Sequence, residues 1–228
     1  MRFSGQMNEP GVLMTFALAQ LPTELGHLTQ LTSLTLSACG FVGTVPTELQ
    51  NLQNVTVLSL EGNLLEGPVL DTLLNLSKLR RLLLGLNKFT GPIDRDQWAA
   101  IGKIRDASLF GNQFSGPLPE DIGEILPART LFFDIGENQF SGTIPSSMSL
   151  LRRLEWLDLS DNFFTGTLPA NLTAISLSVY GNSFTGTVPA SACGDDKEVI
   201  YDCDEGELVC NCEWCTCSET LDFEDSDF

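Results

Sequence analysis

Apolar residues return along this chain in one short phrase. Leu31, Leu34 and Leu36, then Val55, Leu58 and Leu60, and later Leu154, Leu157 and Leu159 share one spacing. The last two of each set are two residues apart, so they point to one side of an extended segment, where side chains alternate. Each phrase therefore predicts a very short strand with one face turned inward. A triplet follows each strand: Asn or Cys, then Phe or Leu, then Gly, at every second position. The triplets are Cys39-Phe41-Gly43, Asn63-Leu65-Gly67, Asn87-Phe89-Gly91, Asn112-Phe114-Gly116, Asn138-Phe140-Gly142, Asn162-Phe164-Gly166 and Asn182-Phe184-Gly186. Their spacing is 20–26 residues, most often 24. Such self-similarity predicts a solenoid in which each unit buries its neighbour's apolar face. Seven strands spaced by about 4.8 Å then form a parallel sheet roughly 30 Å long.

The triplet has a physical reading. The Asn slot comes where the chain leaves the strand, and buried backbone groups at that bend need partners. An Asn amide both donates and accepts, so one residue type serves the bend in every turn. Cys39 takes that slot once, as a small hydrophobe with a weak donor. The Phe slot predicts an internal stack. Gly in all seven units points to a backbone conformation closed to other residues. Pro follows in Val45-Pro46, Leu118-Pro119, Ile144-Pro145, Leu168-Pro169 and Val188-Pro189, which suits an extended chain turning outward; Leu70 and Asp94 break that slot.

This pattern resembles the plant-type leucine-rich repeat. Leu154, Leu157, Leu159, Asn162, Phe164, Gly166, Leu168, Pro169 and Leu172 fill its slots almost one for one. The resemblance covers residues 31–189, with a partial unit at 21–28. It implies an α/β solenoid, a right-handed coil with a parallel sheet on its concave face and irregular, 3₁₀ or short helical segments outside. The family includes polygalacturonase-inhibitor-like proteins and ectodomains of receptor-like kinases. The resemblance thus implies recognition of a protein, peptide or glycan at the cell surface or outside the cell, with hydrolase inhibition or a receptor fragment as the alternatives. The paired cysteines that usually open the family's array are missing here.

The ends depart from the repeat. Residues 1–20 form an atypical segment: Val12–Ala19 looks like a short apolar leader ending in Ala17-Leu18-Ala19, while a 24-residue shift places Leu21–Leu25 on Val45–Leu49 as a decayed repeat would. Residues 21–189 are the array, 190–218 a Cys-rich cap and 219–228 an acidic tail. Six of the seven cysteines, Cys193, Cys203, Cys210, Cys212, Cys215 and Cys217, lie in the cap. An even cluster predicts three disulfides with the pairing open. Four soft ligands at Cys210, Cys212, Cys215 and Cys217 keep a metal cluster as the rival. A redox role for Cys212–Cys215 lacks the surrounding βαβ pattern. The sequons at Asn54, Asn75 and Asn171 add candidate glycosylation sites on the outer segments.

Charge then narrows the partners. The chain carries −18 in all, and residues 195–228 hold thirteen acids and one Lys. That end repels phosphates, so nucleic acid is not an expected partner. No stretch approaches the ~20 apolar residues of a membrane span. Lys78, Arg80, Arg81, Lys88, Arg95, Lys103 and Arg105 crowd into two units, where Arg81 with Arg80 and Arg105 suits a carboxylated or sulfated glycan, or pairs with Asp94, Asp96 and Asp106. On the concave face, alternation places Arg81, Leu83, Asp106, Phe110, Phe132, Asp134, Trp156, Asp158 and Tyr180 outward. Four large aromatics stand where water is expected, and Asp134 and Asp158 share a column roughly 5 Å apart. Aromatics with a few polar partners suit sugar or peptide recognition, or packing against a second chain. Catalytic signatures are missing: no P-loop, Gly-x-Ser-x-Gly, His-Glu-x-x-His or kinase motif occurs, and His27 is the one His. No enzyme activity, cofactor or metal is expected.

Overall fold

The computed structural model of this chain describes residues 19–73, 75–100, 104–202, 208–213 and 215–217. Among these, the leucine phrases build a nine-stranded parallel sheet, beginning at Ser33–Thr35 and passing through Val57–Ser59, Arg81–Leu83, Asp106–Ser108, Phe132–Asp134, Trp156–Asp158 and Ser176–Ser178. Successive coils pair in chain order, so Ser33, Val57, Arg81, Asp106, Phe132, Trp156 and Ser176 form one column. The middle residue of each strand points inward: Leu34, Leu58, Leu82, Ala107, Phe133, Leu157 and Leu177 are all buried.

The sheet is longer than the triplets predict. Glu198–Tyr201 and Cys215–Cys217 extend it, with Val199 beside Leu177 and Cys215 beside Val199. The Cys-rich segment therefore continues the coil. A second difference is a separate parallel sheet. The segments around the Phe slot, from Val42–Thr44 to Ser183–Phe184, form seven strands of their own among the described residues. The chain stays extended through Phe before it reaches Gly, and identical extended segments stacked coil on coil satisfy their backbone groups by pairing. Short 3₁₀ and α turns, such as Thr23–His27, Thr47–Asn51, Arg95–Ala100 and Ser146–Leu150, close each coil on the outside.

Between the two sheets runs a ladder of buried Asn side chains. Asn112 Nδ2 donates to Leu109 O in its own coil and to Leu84 O in the coil before, both at 3.0 Å. Its Oδ1 accepts from Phe89 N at 2.9 Å. Asn138 repeats the pattern with Leu109 O, Ile135 O and Phe114 N. Asn63, Asn87, Asn162 and Asn182 do the same. Cys39 opens the ladder: its N donates to Asn63 Oδ1, and its thiol to Ser37 O at 3.2 Å. Behind the ladder Phe89, Phe114, Phe140, Phe164 and Phe184 stack at centroid separations of 6.2–6.5 Å. The seven triplet glycines all have φ between +76° and +103°, which L side chains rarely adopt.

Both ends are tied into the stack. Leu21 is buried and Val42 N donates to Ala19 O at 3.0 Å, so a partial unit precedes the first triplet. The leader-like stretch of residues 12–18 lies outside the described residues. At the other end Cys193 is joined to Cys212 and Cys210 to Cys215. Cys217 is also disulfide-bonded, and Cys203 lies outside the described residues. The sequons differ in access: Asn75 and Asn171 are exposed, whereas Asn54 is half-buried with its amide bonded to Thr29 O and Lys78 Nζ.

Urea denaturation should show Asn112→Ala and Asn138→Ala each destabilised by about 1–3 kcal/mol, since each leaves buried backbone groups unpaired. Asn171→Ala, at an exposed position, should stay within about 0.5 kcal/mol of wild type; equal losses at all three sites would remove the ladder as the determinant.

Candidate ligand-binding site on the concave sheet

The outward positions of the long sheet fall into columns. The first contains Arg81, Asp106, Phe132 and Trp156 on adjacent strands. The second contains Leu83, Ser108, Asp134 and Asp158. Phe110 and Tyr180 lie just past their strands, where Phe110 O accepts from Leu86 N and Tyr180 O from Asp161 N. The four aromatics therefore do not make a single row. Phe132 and Trp156 stack face to face, with centroids 5.9 Å apart and planes 13° from parallel. Phe110 and Tyr180 flank that pair from the third column, one coil to either side. Trp156 is 38% exposed, while the other three are half-buried.

Charges around the pair are fixed by neighbours. Arg81 Nε lies 3.9 Å from Asp106 Oδ2, and Arg105 Nε lies 3.7 Å from Asp106 Oδ1. Arg95 pairs with Asp121 rather than with Asp94 or Asp96. Asp158 accepts from Ser160 N at 2.9 Å and Ser160 Oγ at 2.6 Å. Asp134 differs from its expected open position: it is only 8% exposed. Its Oδ2 accepts from Ser108 Oγ and its Oδ1 from Gly136 N, each at 3.1 Å, which folds the carboxyl down onto the sheet. Burial pushes its pKa up to about 7, and the Asp158 charge alongside pushes the same way.

Alternation alone misses the rim beyond the strands. Glu137 and Asp161 have φ of +49° and +48°, at a slot that other coils fill with Gly62, Gly111 and Gly181, or with Ala38 and Leu86. A carboxylate residue in that conformation is uncommon. Both have raised pKa values, through desolvation first and then through Asp161 and Asp158 for Glu137, and Asp158 and Asp202 for Asp161. The recurrence of Gly at the equivalent position was the available sequence signal. Away from this face, the sulfurs of Cys210, Cys212 and Cys215 lie within 4.8 Å of one another, close enough for a soft metal. Their disulfides leave no thiolates to bind one.

Known proteins share this fold. The Leucine Rich Repeat family pattern matches residues 30–52 and 153–175. The ectodomain of the Arabidopsis receptor kinase HAESA, solved with an N-terminally extended IDA peptide hormone ligand, is 30% identical at a TM-score of 0.70. The chain is a plant-type leucine-rich repeat protein. Its match to HAESA covers 84% of this chain and 32% of the receptor's. A TDR receptor is 29% identical at a TM-score of 0.75, over 84% of this chain and 33% of that one. The repeat protein described here thus spans about a third of these ectodomains. A plant ice-binding protein shares the fold at 22% identity and a TM-score of 0.61, over 88% of this chain and 78% of that one. Comparison with curated proteins gave no match. No helix among the described residues is long and apolar enough to cross a membrane.

Asp134 should make stability depend on pH. Its folded pKa, about 7, lies above the ordinary 3.8, so the folded state holds a proton that the unfolded state gives up. Its contribution is full below about pH 4 and is lost as pH rises through 7. Asp134→Asn should flatten that fall, adding about 1–4 kcal/mol at pH 8 and little at pH 4. Thermal midpoints of both proteins across this range would show it; parallel curves would mean the carboxyl titrates normally.

Proposed function

We propose that this protein is a non-enzymatic recognition module that binds a peptide or protein ligand on its concave sheet, at the cell surface or outside the cell. The observation that carries this reading is the Phe132–Trp156 stack, an aromatic platform at the middle of a solvent-facing sheet. Apolar side chains that fold no strand against themselves usually meet a partner. The platform has polar surroundings of both signs: Arg81 and Asp106 continue its column, Asp134 and Asp158 the next, with Leu83, Phe110 and Tyr180 at its borders. Large rigid rings supply contact area at little entropic cost, and fixed charges beside them set register and selectivity. The peptide complexes of HAESA support a peptide as ligand. The disulfides of the C-terminal segment support an oxidising compartment.

The test is a peptide and glycan array probed with the purified chain, followed by titration of the strongest peptide binder. Trp156→Ala and Phe132→Ala should each weaken that binder by about 2 kcal/mol or more. Their stability should fall less than that of Leu157→Ala, whose fully buried side chain leaves a cavity costing about 2–5 kcal/mol. If Trp156→Ala binds as wild type does, the concave platform is not the site; if only glycans bind, the ligand class is wrong.

A further inference from the structure

A second surface lies outside the concave face. Just before each concave strand the chain passes through a turn, and equivalent turns stack along the coil axis. Arg105 N donates to Arg80 O at 2.7 Å, Leu131 N to Arg105 O at 3.1 Å, and Glu155 N to Leu131 O at 2.8 Å. Two residues earlier in the turn, Lys78 Nζ reaches its counterpart Asn54 one coil back, at 2.6 Å. Arg129 and Arg153 occupy the position of Lys78 in later coils. Lys78, Arg80, Arg105, Arg129, Arg152, Arg153 and Lys197 thus share one edge, seven of the chain's twelve basic residues.

Few of these cations meet a carboxylate, although Lys78 Nζ donates to Asn54 Oδ1, an Arg80 guanidinium N–H to Leu79 O and Lys197 Nζ to Ser191 O. All but the half-buried Lys197 are exposed. Among the described residues only Arg105 of the seven comes within 4.0 Å of a carboxylate, that of Asp106. Arg152, Arg153 and Lys197 surround an open hollow of about 520 Å³ whose floor includes Leu131, Leu154 and Ile175, with Glu155 as its one acid. Ile175 is 50% exposed there. A second hollow of about 550 Å³ lies at the early end of the same edge, lined by uncharged polar side chains including Gln30 and Gln53. In a chain of net charge −18, this edge collects the positive charge.

We propose that this edge binds a linear anionic polysaccharide, one carrying carboxylate or sulfate groups along its length. In the four successive coils from Lys78 to Arg153 a cation stands one to four residues before the strand, at roughly 5 Å steps along the coil axis. That arrangement suits a polymer with regularly spaced anions. Guanidinium groups pair with carboxylate and sulfate oxygens through parallel hydrogen bonds. The apolar floor accepts the C–H face of a sugar ring, and Gln30 and Gln53 can meet hydroxyls. An acidic peptide fits less well, because the backbone groups of the edge already bond from coil to coil and offer no strand to extend. The site is separate from the concave platform and does not depend on it.

The experiment measures binding of the full chain to immobilised polygalacturonate and to dextran sulfate at about 50 mM salt, with single-stranded DNA and polyglutamate as comparison polymers. At least one polysaccharide should bind, with affinity falling as salt rises; polygalacturonate alone marks a carboxylate ligand, and binding of dextran sulfate includes sulfate. The double variant Arg152→Glu/Arg153→Glu should bind at least about tenfold more weakly, whereas Lys88→Glu/Arg95→Glu, off this edge, should stay within about twofold. Trp156→Ala should bind the polysaccharide unchanged, which separates this site from the concave one. Circular dichroism checks folding, and Arg129→Gln/Arg153→Gln serves as the milder variant if charge reversal disturbs it. Failure of both polysaccharides to bind, equal binding by the edge variants, or DNA or polyglutamate binding as tightly would each overturn the proposal.

Discussion

Each coil of this solenoid turns a corner between its two sheets, and the backbone groups at that corner are buried. The Asn side chain that satisfies them also reaches into the neighbouring coils, so one residue answers a local need and a stacking need together. The rest of the architecture depends on this link. It holds the coils in register, and that register aligns the phenylalanines into a continuous stack and the concave residues into columns. An Asn without its ring of acceptors would be a buried polar group at a net cost. A coil without its Asn would leave the corner unpaired. The repeat and the ladder therefore stabilise one another.

The coil-to-coil pattern changes in the C-terminal segment. Up to Asp161, the N–H of each left-handed corner residue donates to a carbonyl of the next coil. At Gly181 the acceptor becomes the Asp202 carboxylate, with both oxygens at 2.9 Å. The side chain takes over where the backbone pattern loses its precedent. Two further strands of the long sheet follow among the described residues, in a segment joined to the preceding turn by Cys193–Cys212 and linked within itself by Cys210–Cys215. Covalent links here constrain a segment that departs from the repeat's apolar pattern.

The concave face combines exposure and constraint. Phe132 and Trp156 are displayed by a sheet whose own hydrogen bonds are complete, so binding them to a partner need not disturb the fold. Asp134 and Asp158 are held by hydroxyls and backbone N–H groups, whereas Asp106 meets Arg81 and Arg105. Charge on this face is conditional, because Asp134, Glu137 and Asp161 all resist ionisation in this setting. Apart from Arg81, which shares the platform's column, seven of the twelve basic residues lie along the edge before the strands. One small molecule thus carries an aromatic, acid-flanked surface and a separate basic one.

Period and residue type were enough to determine the fold, because a 24-residue recurrence of Leu, Asn, Phe and Gly admits one way of burying each unit against the next. Facing was legible too: Leu157 points in and Trp156 out, since alternation in a strand depends on position alone. The sequence could not decide what depends on neighbours brought together across coils. The second sheet arises because extended Phe segments meet only when stacked. The burial of Asp134 arises because Ser108, 26 residues earlier, stands beside it and draws the carboxyl down. The splitting of the aromatics into a stacked pair and two flanking rings follows from which column each occupies. The alignment of Arg80, Arg105, Arg129 and Arg153 along one edge required the same knowledge, since their spacing in the chain is irregular and only the coil's register makes them neighbours.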